Sequence, residues 1–387
     1  MGKVEKKVVM MERIILLTSR ENLRRKYGQS GLDYIIDQIY NLKRAHESEG
    51  YESLPVFIDT YLEKHMRTPS KIRELLFSQF GAGKMAHILI IGNHDIIPFF
   101  SVENLLNPYI DPDRIVYTDM LYGCQENKEE DYFDFLPFIS VGRIPDSAPH
   151  EPQFLIAQLK QSAEHRTITV NENTRNFFGY YAARFEKHAR PVLSEIDHYH
   201  TALKSPPVDR KNIHIPTHPV SWFFMLLHGT KLEKYWYGEN REGGIYPEAF
   251  SPQIASEMTT TKNALGFVLP CYGGYILQKD TTTSCALALK KMATTSLVCS
   301  TVLVWAGRDA ATGQLLMGPH LAQLFFTSRE KCDTIGEYLM KIKQEYIQHI
   351  AHNLEKNGKT GCYMALKTLL QFNLYGDPTI KYRFRRN

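Results

Sequence analysis

Two apolar segments of the sequence each end in a side chain suited to nucleophilic chemistry, with glycine close behind it. Residues 221–229 read Ser-Trp-Phe-Phe-Met-Leu-Leu-His-Gly, and residues 266–274 read Gly-Phe-Val-Leu-Pro-Cys-Tyr-Gly-Gly. A thiolate such as that of Cys271 attacks a carbonyl carbon, and an imidazole such as that of His228 holds the thiol deprotonated or protonates the leaving amine. The pattern predicts a Cys-His dyad, in which the backbone amides of Gly229 and Cys271 donate to the oxyanion.

Each residue alone has a plainer interpretation. A free cysteine is most often a small buried apolar side chain, and a histidine at a strand end is often only hydrogen-bonded. The same local pattern at two places favours the dyad. The other cysteines lack the strand end and the double glycine, and we interpret them as packing residues: Cys124, Cys285, Cys299, Cys332 and Cys362.

The elements that must position the dyad follow an α/β pattern, because short apolar runs alternate with longer amphipathic stretches. Strands are predicted near residues 14–18, 56–58, 87–92, 138–143, 176–181, 222–227, 266–269 and 297–304. Helices are predicted near residues 32–49, 70–80, 153–166, 188–203, 284–292, 315–328 and 335–355. In a parallel sheet the reactive groups gather beyond the carboxyl ends of the strands, so both side chains are expected at one edge.

Two irregular segments divide this pattern. The polar stretch 171–176 predicts a junction between an N-terminal α/β subdomain, residues 1–170, and a catalytic subdomain, residues 171–387. The segment 101–135 is rich in turn residues, acids and aromatics, and we expect it to be a long excursion at the sheet edge. Such loops in compact domains are often functional.

Composition excludes several classes of protein. The chain has 387 residues, with 43% hydrophobic and 23% charged residues, which is typical of a folded globular protein. Its net charge is only +4, and no long basic stripe predicts a nucleic-acid partner. The six cysteines are too sparse and irregular for a disulfide framework or a zinc site. No apolar run reaches the length of a membrane span, so we expect a cytoplasmic protein with no membrane partner.

Further motifs, taken in chain order with the His-Gly and Cys segments, make the sequence resemble gingipain-like cysteine peptidases, which have a caspase-type fold. The motifs are Ile-Leu-Ile-Ile-Gly-Asn-His-Asp-Ile-Ile-Pro at 88–98, Thr118-Asp119 with Tyr122, Val-Gly-Arg-Ile-Pro at 141–145, Ser300-Thr301 with Trp305, and Asn-Leu-Tyr-Gly-Asp-Pro-Thr at 373–379.

The resemblance implies a caspase-like α/β fold with mainly parallel sheets flanked by helices, in two subdomains of which the second is catalytic. It implies that Cys271 is the nucleophile and His228 the general acid/base. Gingipain-like sequences often carry an acid five positions before the arginine of Val-Gly-Arg, where it helps to orient the histidine. Here that position is Phe138, which leaves the third catalytic residue open, with Asp134 as a substitute.

These observations predict a cysteine endopeptidase that hydrolyses peptide bonds of a protein or peptide substrate through a thioester intermediate. We expect the loop from Lys231 to Tyr246 to gate it, ordered by an activating protein, a ligand or self-cleavage. The alternative is a catalytically silent relative that serves as a binding or scaffold module, which the phenylalanine at position 138 favours.

The substrate pocket and the cofactors are less determined by the sequence. A basic residue before the scissile bond would need an acid to pair with it, and Asp146, Glu151 and Asp309 are candidates. Trp305 is a further candidate for the substrate pocket. No cofactor is expected to be required. The acids at 126–134 could bind calcium, although they lack the spacing of a known calcium loop.

Overall fold

The computed structural model describes residues 11–81, 83–125, 136–148, 151–171, 176–196, 198–216, 218–292, 294–328 and 332–385. The helices are α1 Arg20–Ser48, α2 Pro69–Phe80, α3 Gln153–Glu164, α4 Glu186–Glu195, α5 Pro252–Glu257, α6 Cys285–Lys291, α7 Met317–Thr327 and α8 Ile335–Gln371. Short 3-10 turns lie at Ile58–Thr60, Lys64–Met66, Met120–Gly123, Ala183–Phe185 and Tyr199–Thr201.

The strands of the first half are β1 Arg13–Thr18, β2 Glu52–Phe57, β3 Met85–Ile91, β4 Phe100–Glu103, β5 Ile115–Thr118, β6 Ser140–Ile144 and β7 Thr167–Asn171. Those that follow are β8 Phe177–Ala182, β9 Leu203–Ser205, β10 Val220–Leu226, β11 His228–Gly229, β12 Trp236–Tyr237, β13 Glu248–Phe250, β14 Thr260–Val268, β15 Thr294–Ser300, β16 Ala306–Arg308, β17 Leu315–Leu316, β18 Phe372–Tyr375 and β19 Lys381–Arg385.

One ten-stranded sheet organises the molecule, in the order β2-β1-β3-β6-β18-β15-β14-β10-β8-β9. The four strands on one side of β18 pair in parallel, and so do the five strands on its other side. β18 itself is antiparallel to β15 and parallel to β6. The two halves of the sheet therefore run in opposite directions, and the prediction of a mainly parallel α/β architecture flanked by helices is confirmed.

The sheet is buried on both faces, as β10 shows. Phe224 and Leu226 belong to the larger apolar cluster, whereas Phe223 and Met225 belong to the smaller one. Successive side chains of a strand point to opposite faces, so these alternating memberships place one cluster on each side of the sheet. This explains why the strands read as continuous apolar runs rather than as alternating ones.

Local sequence signals explain the helix limits. The Thr68 side chain accepts a hydrogen bond from the Lys71 amide, Pro69 occupies the first turn of α2, and Gly81 ends the helix with φ of +72°. α1 begins at Arg20, where the Ser19 side chain accepts a hydrogen bond from the Asn22 amide, and it is interrupted by a kink at Gly28, which has φ of +71°. The predicted helix at 32–49 corresponds to the part of α1 after this kink, and the capped segment before the kink was not predicted.

The C-terminal residues pack on the first half of the chain. β19 pairs in parallel with β7, and β18 contacts β6 through Tyr375 and Arg143. The predicted boundary at residue 170 falls within β7, and the division into subdomains 1–170 and 171–387 stays a prediction. In the described part of the chain, no helix combines the length and apolarity needed to cross a membrane.

Candidate active site

The histidine lies where the central strand β10 ends. β10 finishes at Leu226, and His228 and Gly229 form the short strand β11, which turns out of the main sheet into a three-stranded antiparallel one. In that small sheet His228 pairs with Tyr237 and Gly229 pairs with Trp236 of β12. The hairpin therefore fixes the histidine backbone beyond the carboxyl end of β10, as the sequence predicts.

A buried glutamate binds the imidazole. His228 Nε2 lies 2.8 Å from Oε2 of Glu239, whose side chain is only 9% exposed. A carboxylate only accepts hydrogen bonds, so Nε2 carries the proton and Nδ1 remains the acceptor. The other carboxylate oxygen accepts a hydrogen bond of 3.2 Å from the Tyr246 hydroxyl. Glu239 therefore selects the tautomer whose free nitrogen can take a thiol proton.

Aromatic rings restrict the imidazole further. The Phe185 ring lies 4.6 Å from the His228 ring between centroids, and the Tyr246 ring meets it edge-on at 5.4 Å. Tyr246 is itself 54% exposed, so its ring lies at the protein surface beside the histidine.

The cysteine lies in a tight loop beyond the end of β14. The Tyr272 amide donates to the carbonyl of Val302 at 3.0 Å, and the Gly274 amide donates to that of Ser300 at 2.6 Å. Tyr272 has φ of +57°, a left-handed conformation that a tyrosine rarely adopts. Backbone strain of this kind is found mainly at functional sites.

The two candidate segments touch through their backbones. A Cβ built on Gly229 would lie 2.2 Å from the carbonyl oxygen of Cys271 and 3.2 Å from Cβ of Pro270. Only glycine permits this approach, so position 229 needs its glycine for close packing of the two segments. The structure thus brings together His228, Gly229 and Cys271, which the sequence analysis selected from two separate strand ends.

Cys271 is a partly exposed residue, and its thiol is hydrogen-bonded to backbone. Sγ accepts from the Val304 amide at 3.3 Å and donates to the Val304 carbonyl at 3.8 Å. Burial raises the pKa of the Cys271 thiol above its ordinary value, while the nearby charge of Lys367 acts to lower it and that of Asp113 to raise it. The thiol is therefore protonated at neutral pH, and it needs a base before it can attack.

The acids considered for a substrate pocket have other partners. The Asp146 carboxylate is fully buried, and it pairs with Lys26 at 2.7 Å and accepts from the Asn93 amide at 2.6 Å. The Asp309 carboxylate accepts from the Thr312 amide at 2.7 Å and so closes a turn. Both carboxylates therefore have local structural roles.

The remaining predicted site residues are dispersed. Glu151 is exposed. Trp305 lies one residue after Val304, and its indole nitrogen donates to Asp111 at 2.7 Å. Trp305 therefore follows directly on the residue whose backbone is hydrogen-bonded to the Cys271 sulfur, and the contacts of Asp146 and Asp309 lie elsewhere.

The calcium prediction and the substitute Asp134 fall at residues 126–135, outside the described residues. Among the residues described, no group of three or more His, Cys, Asp or Glu could hold a metal ion. Phe138 contacts Phe77, with 5.7 Å between ring centroids.

The sequence motifs at 88–98 and 141–145 build a buried frame around Arg143. Its guanidinium makes two hydrogen bonds of 2.7 and 2.6 Å to Asp119 and donates to the carbonyls of Gly92 and Ile97. Such a bidentate pair is rigid and costly to break in the interior. This frame joins three of the motifs that carry the family resemblance.

The C-terminal motif forms a second buried frame around Asp377. Its carboxylate is 2.8 Å from His46 Nε2 and 2.6 Å from Arg166 Nη1, and it accepts from the Thr379 amide at 2.9 Å. The cation of Arg166 and the hydrogen bonds hold the pKa of Asp377 well below its usual range against the effect of burial. The motif at 373–379 therefore ties β18 to α1 and α3.

Solved structures give this architecture a name. Gingipain R, an Arg-specific cysteine proteinase, matches with a TM-score of 0.62 at 15% identity, over 96% of this chain and 78% of that chain. A complex of the pro- and mature domains of RgpB from Porphyromonas gingivalis matches with a TM-score of 0.59 at 15% identity, over 95% and 79% of the two chains. No family model and no curated protein matches the sequence. The chain has the caspase-like fold of gingipain, and the predicted resemblance is confirmed at the level of the fold.

Sequence reasoning missed Glu239 as the partner of His228. The resemblance places the third catalytic residue, an acid, five positions before Arg143, and that position holds Phe138. The available signal was local: Trp-Tyr-Gly-Glu at 236–239 is a short apolar pair followed by glycine and an acid. Glycine is required at 238 because a Cβ there would lie 2.1 Å from the Ser205 side-chain oxygen.

Proposed function

We propose that this chain is a cysteine endopeptidase of caspase-like fold, with Cys271 as nucleophile, His228 as general acid/base and Glu239 as the residue that orients the imidazole. The observation that carries the proposal is the 2.8 Å bond between His228 Nε2 and Glu239, on a histidine whose neighbour Gly229 abuts the Cys271 carbonyl. A nucleophile, a base and a group that orients the base define this chemistry.

The reaction follows from the protonation states. Nδ1 of His228 accepts the Cys271 proton, and the thiolate forms a bond to the carbonyl carbon of a peptide. The amides of Gly229 and Cys271 stabilise the resulting oxyanion. The imidazolium then protonates the leaving amine as the C–N bond breaks. Water, deprotonated by His228, finally hydrolyses the thioester and releases the carboxylic acid and the free thiol.

The proposal includes a gate in the loop Lys231–Tyr246, which carries both Glu239 and Tyr246. Leu232 is 91% exposed and Ile245 is 62% exposed, which gives this loop exposed apolar side chains near both of its ends. A protein partner or a ligand that covers these side chains, or cleavage of the loop itself, would move Tyr246 off the imidazole. The substrate is a protein or peptide, and the chemistry requires no cofactor.

All six cysteines are free thiols, which fits a reducing compartment such as the cytoplasm.

Labelling with a peptidyl acyloxymethyl ketone tests the proposal, because such a reagent modifies an activated thiol and spares an ordinary one. We expect labelling at Cys271, read from its tryptic peptide, and loss of that labelling in His228→Ala. Cys332, which is also partly exposed, supplies the internal comparison. Equal labelling of Cys271 and Cys332, or undiminished labelling of Cys271 in His228→Ala, would contradict the proposal. The same labelling is measured on protein cleaved within residues 231–246, so that a closed gate does not hide the activity.

A second candidate function rests on the state of the thiol. The Cys271 sulfur is hydrogen-bonded to backbone and the pKa of the thiol is raised, which also suits a chain that binds a peptide in its cleft without cleaving it. A binding module of this kind would bind peptides equally well as wild type and as Cys271→Ser, and it would show no cleavage with either form of the loop.

A further inference from the structure

A cluster of two acids and one lysine lies beside Cys271 and takes no part in the steps above. Asp111 and Asp113 belong to the connection between β4 and β5, and Lys367 belongs to α8. Lys367 Nζ lies 2.5 Å from Asp111 Oδ2 and 2.9 Å from Asp113 Oδ2, and the lysine side chain is 1% exposed. We call these three residues the acid–lysine cluster.

The acid–lysine cluster holds the chain on both sides of the sulfur. Asp113 accepts a hydrogen bond of 2.7 Å from the Tyr272 hydroxyl and one of 2.8 Å from the Leu303 amide. Tyr272 directly follows Cys271 in the chain. Leu303 precedes Val304, whose amide donates to the Cys271 sulfur at 3.3 Å.

Asp111 adds a third anchor on the same segment. Its carboxylate accepts from Trp305, the residue after Val304, at 2.7 Å, and it also binds the Asp113 amide at 3.0 Å. The backbone of Val304, which is hydrogen-bonded to the Cys271 sulfur, is therefore held in place through both of its neighbours, Leu303 and Trp305. Each of these contacts ends on a carboxylate that Lys367 neutralises.

Stability alone is a poor explanation for this arrangement. Removing two carboxylates and an ammonium from water is costly, and well-packed apolar residues often stabilise a core as much as a buried ion pair does. Here the acids instead recruit donors from three residues around one thiol. A charged cluster next to a titrating group also changes the electrostatic potential at that group.

We propose that Asp113 and Lys367 are positioning residues for Cys271: Asp113 fixes the backbone on both sides of the sulfur, and Lys367 cancels the negative charge that this contact would otherwise place beside the thiol. The inference rests on the proposed function for its catalytic meaning. The reactivity of the thiol itself can be measured whether or not the chain cleaves peptides.

The charged and titratable groups around the thiol come from four elements. They are His228 on β11, Asp111 and Asp113 on the β4–β5 connection, Lys367 on α8 and Tyr272 beside the cysteine. The two residues chosen for variants have opposite charges and share one contact, at 2.9 Å. Their effects on the thiol must therefore differ in sign if the cluster acts electrostatically.

The test is the pH dependence of Cys271 alkylation by iodoacetamide, followed by mass spectrometry of its peptide in the intact chain. Asp113→Asn removes a negative charge, so the midpoint falls and alkylation below the midpoint becomes about threefold faster. Lys367→Met removes the positive charge, so the midpoint rises and alkylation slows about threefold. The double variant should have a higher alkylation midpoint than Asp113→Asn alone. This comparison reports the effect of the Lys367 charge even where the single variant Lys367→Met does not fold.

Lys343→Met is the matched control. Lys343 is a second buried lysine of α8, and its ammonium donates to the Phe372 carbonyl at 2.7 Å. It should lower stability and leave the alkylation midpoint of Cys271 unchanged. Shifts of the same sign in Asp113→Asn and Lys367→Met, or midpoints equal to that of wild type, would overturn the inference. Shifts of opposite sign without any peptide cleavage would uphold it and reject the endopeptidase.

Discussion

Replacing Glu239 by glutamine removes the charge that faces the imidazole and keeps the shape of the side chain. The bond from His228 Nε2 is 2.8 Å long, and the carboxylate is nearly excluded from solvent. Water and salt therefore screen the Glu239 charge little, and the carboxylate should stabilise a protonated His228 about as strongly as a buried charged contact does. Glutamine can also donate to Nε2, and that would favour the tautomer whose Nδ1 already carries a proton.

The expected loss follows from the strength of such a bond. A hydrogen bond to a charged group contributes about 1.5–3 kcal/mol, and each 1.36 kcal/mol corresponds to a factor of ten in rate, so Glu239→Gln should slow the reaction roughly 10- to 150-fold. The loss should appear in kcat and not in KM, because Glu239 binds the base and not the substrate. With a covalent peptidyl inhibitor it should appear in the second-order rate constant of labelling at Cys271.

The control is Glu242→Gln, an exposed acid of the same loop whose carboxylate accepts a hydrogen bond of 3.3 Å from the Asn240 side-chain amide. It removes the same charge from the same loop and should change the rate less than twofold, as expected for an exposed group. Equal rates for Glu239→Gln and wild type, or equal losses in both variants, would refute the assignment of Glu239. A loss confined to KM would refute it as well.

Three further predictions concern the nucleophile, the gate and the stability of the fold. Cys271→Ala should abolish labelling and turnover. The melting temperature should stay within a few degrees of wild type, because removing one sulfur from a partly exposed residue leaves little cavity. Unfolding of this variant would instead indicate that Cys271 is a packing residue. Tyr246→Ala should uncover the imidazole and raise basal labelling several-fold, as should nicking between Arg241 and Ile245, and unchanged labelling after both would exclude the gate. Burial lowers the pKa of His188 to about 4 from an ordinary 6.5. Between pH 4 and pH 6.5 the histidine is therefore protonated in the unfolded chain and neutral in the folded chain. The free energy of unfolding should fall as the pH drops from 6.5 to 4, by about 1–2 kcal/mol once solvent screening reduces the full effect of the shift. Urea titrations should show a smaller fall in His188→Gln, and the exposed His65→Gln should match wild type.

The positions of the cysteine and the histidine were predictable because the elements that carry them have a strong signal. The carboxyl-terminal parts of β10 and β14 are buried on both faces, so residues 222–227 and 264–269 read as apolar runs with a clear end. The carboxyl ends of neighbouring parallel strands meet at one edge, which brings the residues after them together. The predicted strand and helix segments accordingly overlap elements of the structure, although the predicted helix at 188–203 runs past the end of α4 at Glu195.

The partners of the two residues were not predictable in the same way. Glu239 reaches His228 through a hairpin whose paired strands, β11 and β12, have only two residues each, and such short strands have no periodic pattern. Lys367 lies in α8, more than 250 positions from Asp113 in the sequence. A buried lysine looks like a surface lysine until the fold shows which acids surround it.

The motifs that carry the resemblance to gingipain-like peptidases mostly build the frame rather than the reacting groups. Arg143 with Asp119, and Asp377 with Arg166, are buried ion pairs that tie strands and helices together. These contacts stabilise the fold whether or not a thiol reacts, so the motifs are better evidence for the fold than for an activity. The proposed Cys-His pair depends instead on a two-residue hairpin strand and on a loop held by buried acids. A change at Glu239 or Asp113 can therefore alter the reactivity of Cys271 without removing a single motif, and the thiol's own chemistry is the property that separates a peptidase from a binding module of the same fold.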